Sequence, residues 1–321
     1  MRVLFFAVDD GRFPSYSYQC VQAFKDLGHE VRLEDLRKHK MHKHPFTNKL
    51  LNKWLFSRAE KYNPDLLLVN KGTNILPGYI KKLSGKGIKT ANWTLDEPFG
   101  LVNKFNRIGN ISEYDYFFVF DPFYLQELSA VNPHSYYLPC AADPVHVHKE
   151  VIPLGKRKYK HDLSFIGSHD NKREDLLNNF AGYDIKVAGF RWDKVSTPIG
   201  KKVDKRLYTG PEMCGEFNQS RININIHAPH SIEGVNIRTF EIPACNSFQV
   251  CDYFKEINNL FDIGKEIVCY RDAGELKELV DYYLDKNNSG ERDRITVAGH
   301  KRVLREHTVK HRIEKMLSII H

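Results

Sequence analysis

The sequence predicts an α/β protein made of two doubly wound domains with parallel sheets. Apolar runs of strand length alternate with helix-like stretches along the chain, which is typical of strands joined by crossover helices. The chain has 321 residues, enough for two domains that each have a core. A segment rich in proline, glycine and lysine lies near the middle and separates one series of elements from the next.

The first series begins with a strand that is apolar on both faces. Residues 2–8 have the sequence RVLFFAV, a run typical of a strand buried in a parallel sheet. Residues 15–27 follow as a helix, which Gly28 ends. We count about six strands before residue 140 and assign residues 1–145 to an N-terminal Rossmann-like domain. Because this opening lacks the G-x-G-x-x-G motif, no nicotinamide or flavin is predicted.

The second series follows a segment with little periodicity, residues 146–160, which is predicted to be an interdomain linker. Residues 161–305 are predicted to form a C-terminal Rossmann-like domain, with strands at residues 162–166, 185–188, 222–226, 248–251 and 267–270. Residues 191–206 are predicted to be an irregular, partly basic excursion. One long helix is predicted from about Arg292 onward, and residues 306–321 are its amphipathic last part.

The composition excludes several classes of protein. Hydrophobic residues make up 41% of the chain and charged residues 27%, as in soluble globular proteins. No apolar run approaches the roughly 20 residues of a membrane helix, and the opening is too short and acidic for a signal peptide. The six cysteines form no C-x-x-C pair, so we expect reduced thiols and a cytoplasmic protein.

The net charge of +8 is concentrated locally. Residues 37–44 have the sequence RKHKMHKH, and Lys49 and Lys53 extend this basic patch to residue 53. One interpretation is a solvated face of the protein. The other is electrostatic contact with an acidic acceptor, an anionic membrane surface or nucleic acid. No zinc-ligand spacing or RNA-binding motif accompanies the patch, which disfavours nucleic acid.

Residues 222–252 hold the side chains best suited to bind a ligand. They are predicted to form a strand, a polar loop, a helix that begins near Asn236, and a second strand. Asn236 is a suitable N-cap, and Asn246 stands where the helix needs a left-handed residue to end. Pro243 is predicted to kink or shorten the helix. A glycine-containing loop before a helix suits an anion, because free amides and the helix dipole face it.

Two glutamates accompany this loop. Glu233 lies in the loop and Glu241 in the helix, with seven residues between them. Carboxylates cannot bind phosphate, but they accept hydrogen bonds from sugar hydroxyls. An anion site with a carboxylate on each side therefore predicts a ligand in which a sugar is carried on a diphosphate.

The E-x7-E pattern resembles the donor-site signature of the retaining family-four glycosyltransferases of GT-B fold. A longer set of segments is similar to the CgeB-like glycosyltransferase group: LSFIGSHDNKRED, YTGPEM, NIHAPHSIEGVNIRTFEIPACNSFQVCD, GKEIVCYRDAGELKELVDYYL and REHTVKHR. The similarity covers about residues 160–315, and NWTLDEP and LPCAADP extend it more loosely toward the N-terminus. It implies a GT-B fold, in which two Rossmann-like domains face each other across a cleft and the last helix packs back toward the N-terminal domain.

The resemblance also implies roles for individual residues. Glu241 is expected to bond a ribose hydroxyl and Glu233 a hydroxyl of the donor sugar. Lys172 and Arg173 resemble the basic residues that neutralise a leaving diphosphate, and surface charge is the alternative for either. Arg238 lies in a first helical turn, where the dipole disfavours a cation unless an anion is bound nearby. Further expected nucleotide-sugar contacts are Gly167, Ser168, Gly210, His227, Gly234 and Asn236.

Asp96 is the acceptor-side candidate, and with Glu233 it completes the predicted catalytic pair. Its loop follows the strand at which the family-four enzymes carry a histidine, but NWTLDEP stands here instead. Asp96 would orient or deprotonate the acceptor, or else serve as an Asx-turn residue before Pro98. No D-x-D motif follows a strand, so we predict no obligatory metal and no cofactor beyond the nucleoside-diphosphate sugar.

The predicted function is transfer of a sugar from a nucleoside diphosphate to an acceptor hydroxyl, with retention as the resemblance implies. The C-terminal domain would bind the donor and the N-terminal domain the acceptor. A sugar-nucleotide or polyanion binding protein without turnover is one alternative, and a nucleotide-sugar epimerase of the same fold is another. The sequence leaves the acceptor open among protein, polysaccharide, lipid, small molecule and modified nucleic acid.

Overall fold

The computed structural model describes residues 1–7, 14–36, 47–101 and 107–321. They form two six-stranded parallel sheets with helices between successive strands, which confirms the predicted doubly wound α/β architecture. The loop at residues 9–12 and most of the basic patch at 37–53 lie outside the described residues. Within the described part of the chain, no helix has both the length and the apolar character to cross a membrane.

The chain divides into two compact units. Unit 1 comprises Met1–Cys140, His230–Gly234 and Val309–His321, and unit 2 comprises Ala141–Pro229 and Val235–Thr308. Residues 146–160 contain no strand and pack within unit 2, where the amide of Ile152 donates to Oδ1 of Asn218.

The sheet of unit 1 has the strand order β2-β1-β3-β4-β5-β6. Its strands are Arg2–Ala7 (β1), Glu30–Asp35 (β2), Leu66–Asn70 (β3), Lys89–Thr94 (β4), Tyr116–Val119 (β5) and Ser135–Tyr137 (β6). The count of six strands before residue 140 is therefore confirmed. In β1 the residues from Val3 to Ala7 are all buried, as expected for a strand with neighbours on both sides and both faces covered.

The α-helices in the described part of unit 1 are Tyr16–Asp26 (α1), Asn48–Tyr62 (α2), Tyr79–Ser84 (α3), Leu125–Val131 (α4) and Val309–Ile320 (α11). Ser15 begins α1, because its hydroxyl accepts the amide of Tyr18. The predicted glycine stop is present, since Gly28 has φ +78° just beyond the helix.

The sheet of unit 2 has the strand order β12-β11-β10-β7-β8-β9. Its strands are His161–Ile166 (β7), Ile185–Ala188 (β8), Val203–Asp204 (β9), Ser220–Asn225 (β10), Gln249–Asp252 (β11) and Val268–Tyr270 (β12). Its helices are Asn171–Asn178 (α5), Gly210–Asn218 (α6), Arg238–Ala244 (α7), Ile257–Leu260 (α8), Ala273–Leu284 (α9) and Ser289–Glu306 (α10).

The prediction that residues 191–206 are irregular was wrong for their last part. Val203 and Asp204 form the edge strand β9, where they pair with Val187 and Ala188. This strand is two residues long and has no apolar alternation, so its sequence carries no strand pattern. Lys186 stabilises the edge, because its ammonium group lies 3.2 Å from the Asp204 carboxylate.

The prediction of one long terminal helix was also wrong. The chain forms α10 and α11, separated by His307 and Thr308. The His307 ring is buried against Phe240 and Phe261, and its Nε2 lies 2.8 Å from the carbonyl oxygen of Leu260. This packing holds His307 at φ −125°, outside helical backbone geometry, and so ends α10. In unit 1, α11 packs against α1.

Candidate functional site

The connection between β10 and α7 is built around a pair of amides. Nδ2 of Asn225 donates to Oδ1 of Asn236 at 3.1 Å, and Nδ2 of Asn236 donates back to Oδ1 of Asn225 at 2.8 Å. Oδ1 of Asn236 also accepts the amide of Thr239, so it caps the first turn as predicted, although the helix begins at Arg238. The strand and the helix are therefore joined through side chains that are largely shielded from water.

The end of α7 follows the prediction. Asn246 has φ +51°, the left-handed conformation expected of it. Pro243 lies inside the helix, which is only seven residues long and ends at Ala244. The carbonyl oxygen of Pro243 is 2.9 Å from Nδ1 of His300 on α10. Glu241 lies in the first turn of this short helix, ahead of Pro243.

Glu241 is buried in unit 2 with a cationic partner. It is 4% exposed, and its Oε2 forms an ion pair with Arg238, one turn earlier in α7. Nε of Arg238 also donates, to the carbonyl oxygen of Ile166 at 2.9 Å. The anion that offsets the unfavourable position of Arg238 at the helix start is thus present in the protein itself.

His148 is the second partner of Glu241, and the sequence analysis did not identify it. Its ring is fully buried, and Nε2 lies 3.3 Å from Oε1 of Glu241, although not aligned as a linear hydrogen bond. Burial lowers the pKa of His148 to about 4, so the imidazole is neutral at pH 7. The carboxylate favours the tautomer with its proton on Nε2, which then faces Glu241.

Asp143 places His148. Its carboxylate accepts the amides of Val145 and His146, which makes a capped turn, and its carbonyl oxygen accepts the amide of His148 at 2.8 Å. An aspartate before a short turn is visible in the sequence. Its relation to Glu241 is not, because the contact joins distant parts of unit 2.

A second buried carboxylate, Asp252, lies at the end of β11. His227 contacts it twice, through Nδ1 at 2.6 Å and through its backbone amide at 2.9 Å, and Lys172 donates to it at 2.9 Å. Burial opposes ionisation of Asp252, but the charge and hydrogen bonds of His227 and Lys172 outweigh it and lower the pKa of the carboxyl. The His227 ring is fully buried and stacks on Phe254 at 4.2 Å.

Lys172 and Arg173 differ in what their side chains can still do. Arg173 is bound to backbone carbonyls, to that of Ser168 at 2.8 Å and to that of Ile226 at 2.8 Å. It therefore ties the loops after β7 and β10 together. The side chain of Lys172 is 47% exposed, although its ammonium group already contacts Asp252 at 2.9 Å.

The glycines of the predicted site fit tight backbone positions. A Cβ on Gly167 would lie 2.7 Å from the Phe165 ring. Gly189, at φ +145°, lies so close to Gly167 that a Cβ there would be 2.0 Å from the Gly167 carbonyl oxygen. Gly210 has φ +53° and begins α6. The loops after β7 and β8 thus meet backbone to backbone, which leaves no room for a side chain at Gly189.

Among the described residues, one group of side chains could hold a metal ion: His227, Cys251 and Asp252, all buried, with ligand atoms within 4.8 Å of one another. Nδ1 of His227 already contacts Asp252 at 2.6 Å. Burial raises the pKa of Cys251 well above its usual value, which favours the neutral thiol over the thiolate that binds metals. The group is therefore better suited to internal hydrogen bonding than to metal binding, and metal independence stays a prediction.

Asp96 lies in unit 1 at the end of β4, in an ion pair with Lys71. Lys71 follows β3 directly. Its backbone has φ +63°, a left-handed conformation that is rare for residues other than glycine. The turn role considered for Asp96 belongs to the next residue, since the fully buried Glu97 accepts the amides of Phe99 and Gly100. Lys71 is an acceptor-side candidate that the sequence analysis missed.

Glu233 and Gly234 belong to unit 1, in the segment His230–Gly234. Glu233 is half-buried, and its backbone amide lies 3.3 Å from the carboxylate oxygens of Asp121. The described contacts thus join Glu241 with Arg238 and His148 in unit 2, and Glu233 with Asp121 in unit 1. No sequence pattern indicated Asp121.

Comparison with known proteins supports a single family. A family model described as "Glycosyl transferase-like" matches residues 172–318. The chain is 25% identical over 272 residues to the spore protein CgeB of Bacillus subtilis (strain 168). The matched region covers 76% of this chain and 79% of that protein.

Two solved structures have a similar fold. One is sucrose-phosphate synthase from Thermosynechococcus elongatus, with a TM-score of 0.68 and 11% identity, covering 99% of this chain and 98% of that one. The other is an E. coli trehalose-6-phosphate structure bound with UDP-2-fluoro glucose, with a TM-score of 0.69 and 10% identity, covering 100% and 99% of the two chains. These structures and the two parallel sheets show a two-domain α/β fold of the GT-B type, and the family model and CgeB show that the chain is similar to CgeB-like glycosyltransferases.

Proposed function

We propose that the enzyme transfers a sugar from a nucleoside-diphosphate sugar to an acceptor hydroxyl, with retention of configuration. The buried carboxylate of Glu241, placed by Arg238 and His148, carries the proposal. A carboxylate fixed in this way is a good acceptor for the hydroxyls of a ribose, because its orientation costs nothing further when the ligand binds. The UDP-sugar analogue bound to the E. coli structure supports a donor of the same class.

The remaining roles follow from exposure and charge. We propose that Lys172 neutralises the leaving diphosphate, since its side chain is partly exposed and its ammonium group is already held by Asp252. Arg173, bound to backbone carbonyls, would keep the surrounding loops in place. Glu233 would contact the donor sugar. Gly167, Ser168, Gly210, His227, Gly234 and Asn236 would shape the nucleotide-sugar site, with no obligatory metal.

On the acceptor side, we propose the Lys71–Asp96 pair. Asp96 would orient or deprotonate the acceptor hydroxyl, and Lys71 would hold the carboxylate in place. Lys71 keeps its left-handed conformation because its carbonyl oxygen accepts Nδ2 of Asn92 at 3.1 Å. Strained backbone of this kind is common at functional sites.

The six free cysteines support a cytoplasmic location.

We expect Glu241→Gln to weaken nucleoside-diphosphate binding by about ten- to a hundredfold, because one charge-assisted hydrogen bond to the ribose is lost. The measurement is a thermal-shift and calorimetric screen with UDP, GDP, ADP and dTDP. Glutamine keeps the size of the side chain and removes its charge, so Arg238 loses its ionic partner but not its packing.

Glu278→Gln is the matched control, because Glu278 is an exposed glutamate on helix α9 of the same unit. It should bind the same nucleotide as tightly as the wild type. Equal affinity in Glu241→Gln would refute the proposed donor site. Incubation with the corresponding nucleotide sugars then tests turnover: release of nucleoside diphosphate supports transfer, binding alone a non-catalytic protein, and an altered nucleotide sugar an epimerase.

A further inference from the structure

Within unit 1, the backbone amides of the segment His230–Gly234 are bound by a buried carboxylate. Asp121 follows β5 and is fully buried. Its carboxylate accepts the backbone amide of Phe123 at 3.0 Å and that of Ile232 at 2.8 Å, and the amide of Glu233 lies 3.3 Å from both oxygens. Three backbone amides therefore converge on one side chain.

Two further contacts fix the same segment. The hydroxyl of Tyr124 donates to the carbonyl oxygen of His230 at 3.2 Å. Gly234 packs directly on Asp121, so closely that a Cβ at Gly234 would lie 2.7 Å from Cα of Asp121. The segment is thus held near its start, in its middle and at its end, and only glycine fits at the last of these positions.

The chemistry of Asp121 excludes a direct role with ligand. Asp121 has no exposed surface and its oxygens already accept backbone amides, whereas the Glu241 side chain keeps 5% exposure. A carboxylate buried this completely must be stabilised by partners of its own. Among the residues that the structure describes, no lysine or arginine forms an ion pair with it, so the backbone amides of Phe123, Ile232 and Glu233 stabilise its charge. Its charge is therefore balanced by the backbone that carries Glu233.

We propose that Asp121 is a positioning residue for Glu233 and sets where this glutamate meets the donor sugar. The inference rests on the proposed function, in which Glu233 contacts that sugar. The geometry makes the backbone of residues 232 and 233 depend on one carboxylate. A displacement of about 1 Å in a group that orients a substrate lowers the rate by as much as a hundredfold.

Asp121→Asn tests the proposal without changing the size of the side chain. Asparagine offers one acceptor oxygen, and its amide group faces the backbone N–H groups that the second carboxylate oxygen accepted. We expect the Ile232 and Glu233 amides to exchange their hydrogens at least tenfold faster than in the wild type. Donor hydrolysis, measured with UDP-glucose or with the nucleotide sugar that the screen selects, should lose about ten- to a hundredfold in kcat. UDP affinity should stay within about twofold, since Glu241 is intact.

Asp115→Asn is the matched control. Asp115 precedes the same strand, β5, and accepts the amide of Thr90 at 2.8 Å and the hydroxyl of Ser84 at 2.7 Å. The Asp115→Asn variant loses a comparable set of hydrogen bonds. Its exchange rates and kcat therefore show what a general loss of stability in unit 1 does. We expect wild-type exchange at Ile232 and Glu233 and wild-type kcat in this variant.

Gly234→Ala gives an independent test, because the added Cβ forces the segment away from Asp121 while the carboxylate remains. It should reproduce the faster exchange of the Ile232 and Glu233 amides. Wild-type exchange at these amides in Asp121→Asn would overturn the proposal, as would unchanged kcat or a loss of UDP binding. Failure of the proposed function is distinguished separately, since it would appear as unchanged nucleotide affinity in Glu241→Gln.

Discussion

Arg238→Met should destabilise the protein by about 3 kcal/mol, because it leaves the Glu241 carboxylate buried without its cation. Methionine keeps most of the apolar length of arginine, so the lost packing is small. The remaining partner, His148, is neutral, since burial lowers its pKa to about 4, and it cannot replace the positive charge. The quantity to measure is the free energy of unfolding from urea denaturation at pH 7.

A second substitution separates charge from packing in this prediction. In the Arg238→Met background, Glu241→Gln removes the unpaired charge, so the double variant should be more stable than Arg238→Met alone. Arg271→Met is the control, because Arg271 pairs with Glu275 on the surface and its side chain is 69% exposed. Loss of this exposed ion pair should lower the free energy of unfolding by less than about 1 kcal/mol. If Arg238→Met lowered the free energy of unfolding no more than Arg271→Met does, Arg238 would not be the cation that stabilises the buried Glu241 carboxylate.

Asp252→Asn should change how the stability of the protein depends on pH. The pKa of Asp252 in the folded protein lies below its ordinary value, so the carboxylate stabilises the fold above the unfolded pKa. That stabilisation disappears as the pH falls through the folded pKa. In the wild type we therefore expect a loss of stability as the pH falls below about 5 and through the folded pKa, and this loss should be partly absent from the variant.

At pH 7 the same variant should lose about 3 kcal/mol, because the His227 and Lys172 contacts lose their carboxylate. The two stability curves should then converge on acidification, which urea midpoints measured across the pH range would show. Asp272→Asn is the control: Asp272 caps helix α9 by accepting the amide of Glu275, and asparagine caps about as well as aspartate. If the stability of the wild type and that of Asp252→Asn changed in parallel across the pH range, the ionisation of Asp252 would not contribute to the pH dependence of folding.

The elements that formed as predicted are those whose pattern is local. β1 was predicted from one continuous apolar run, and the cap at Asn236 and the left-handed residue Asn246 from side-chain chemistry within one helix. The two errors of the fold have the opposite origin. The edge strand β9 exists because Val203 finds a neighbour in β8, and the break after α10 exists because the His307 ring packs against Phe240 and Phe261.

The candidate site divides in the same way. Glu241 and Glu233 were selected from their spacing and from a family resemblance, and the family assignment is now supported. Lys71, His148 and Asp121 were missed, because nothing near them in the chain marks them as partners of Asp96, Glu241 and Glu233. Asp121 and Glu233 are 112 residues apart.

Most of the strands and helices, the division into two sheets and the resemblance to glycosyltransferases could be read from the amino-acid sequence alone. Apolar periodicity and caps act over a few residues and survive without knowledge of the rest of the chain. Only the tertiary structure decided how each buried carboxylate is balanced: Glu241 by Arg238 and His148, and Asp121 by the backbone of a distant segment. The physical reason is that a buried charge must find donors in three dimensions, and the strand order within each sheet brings them together.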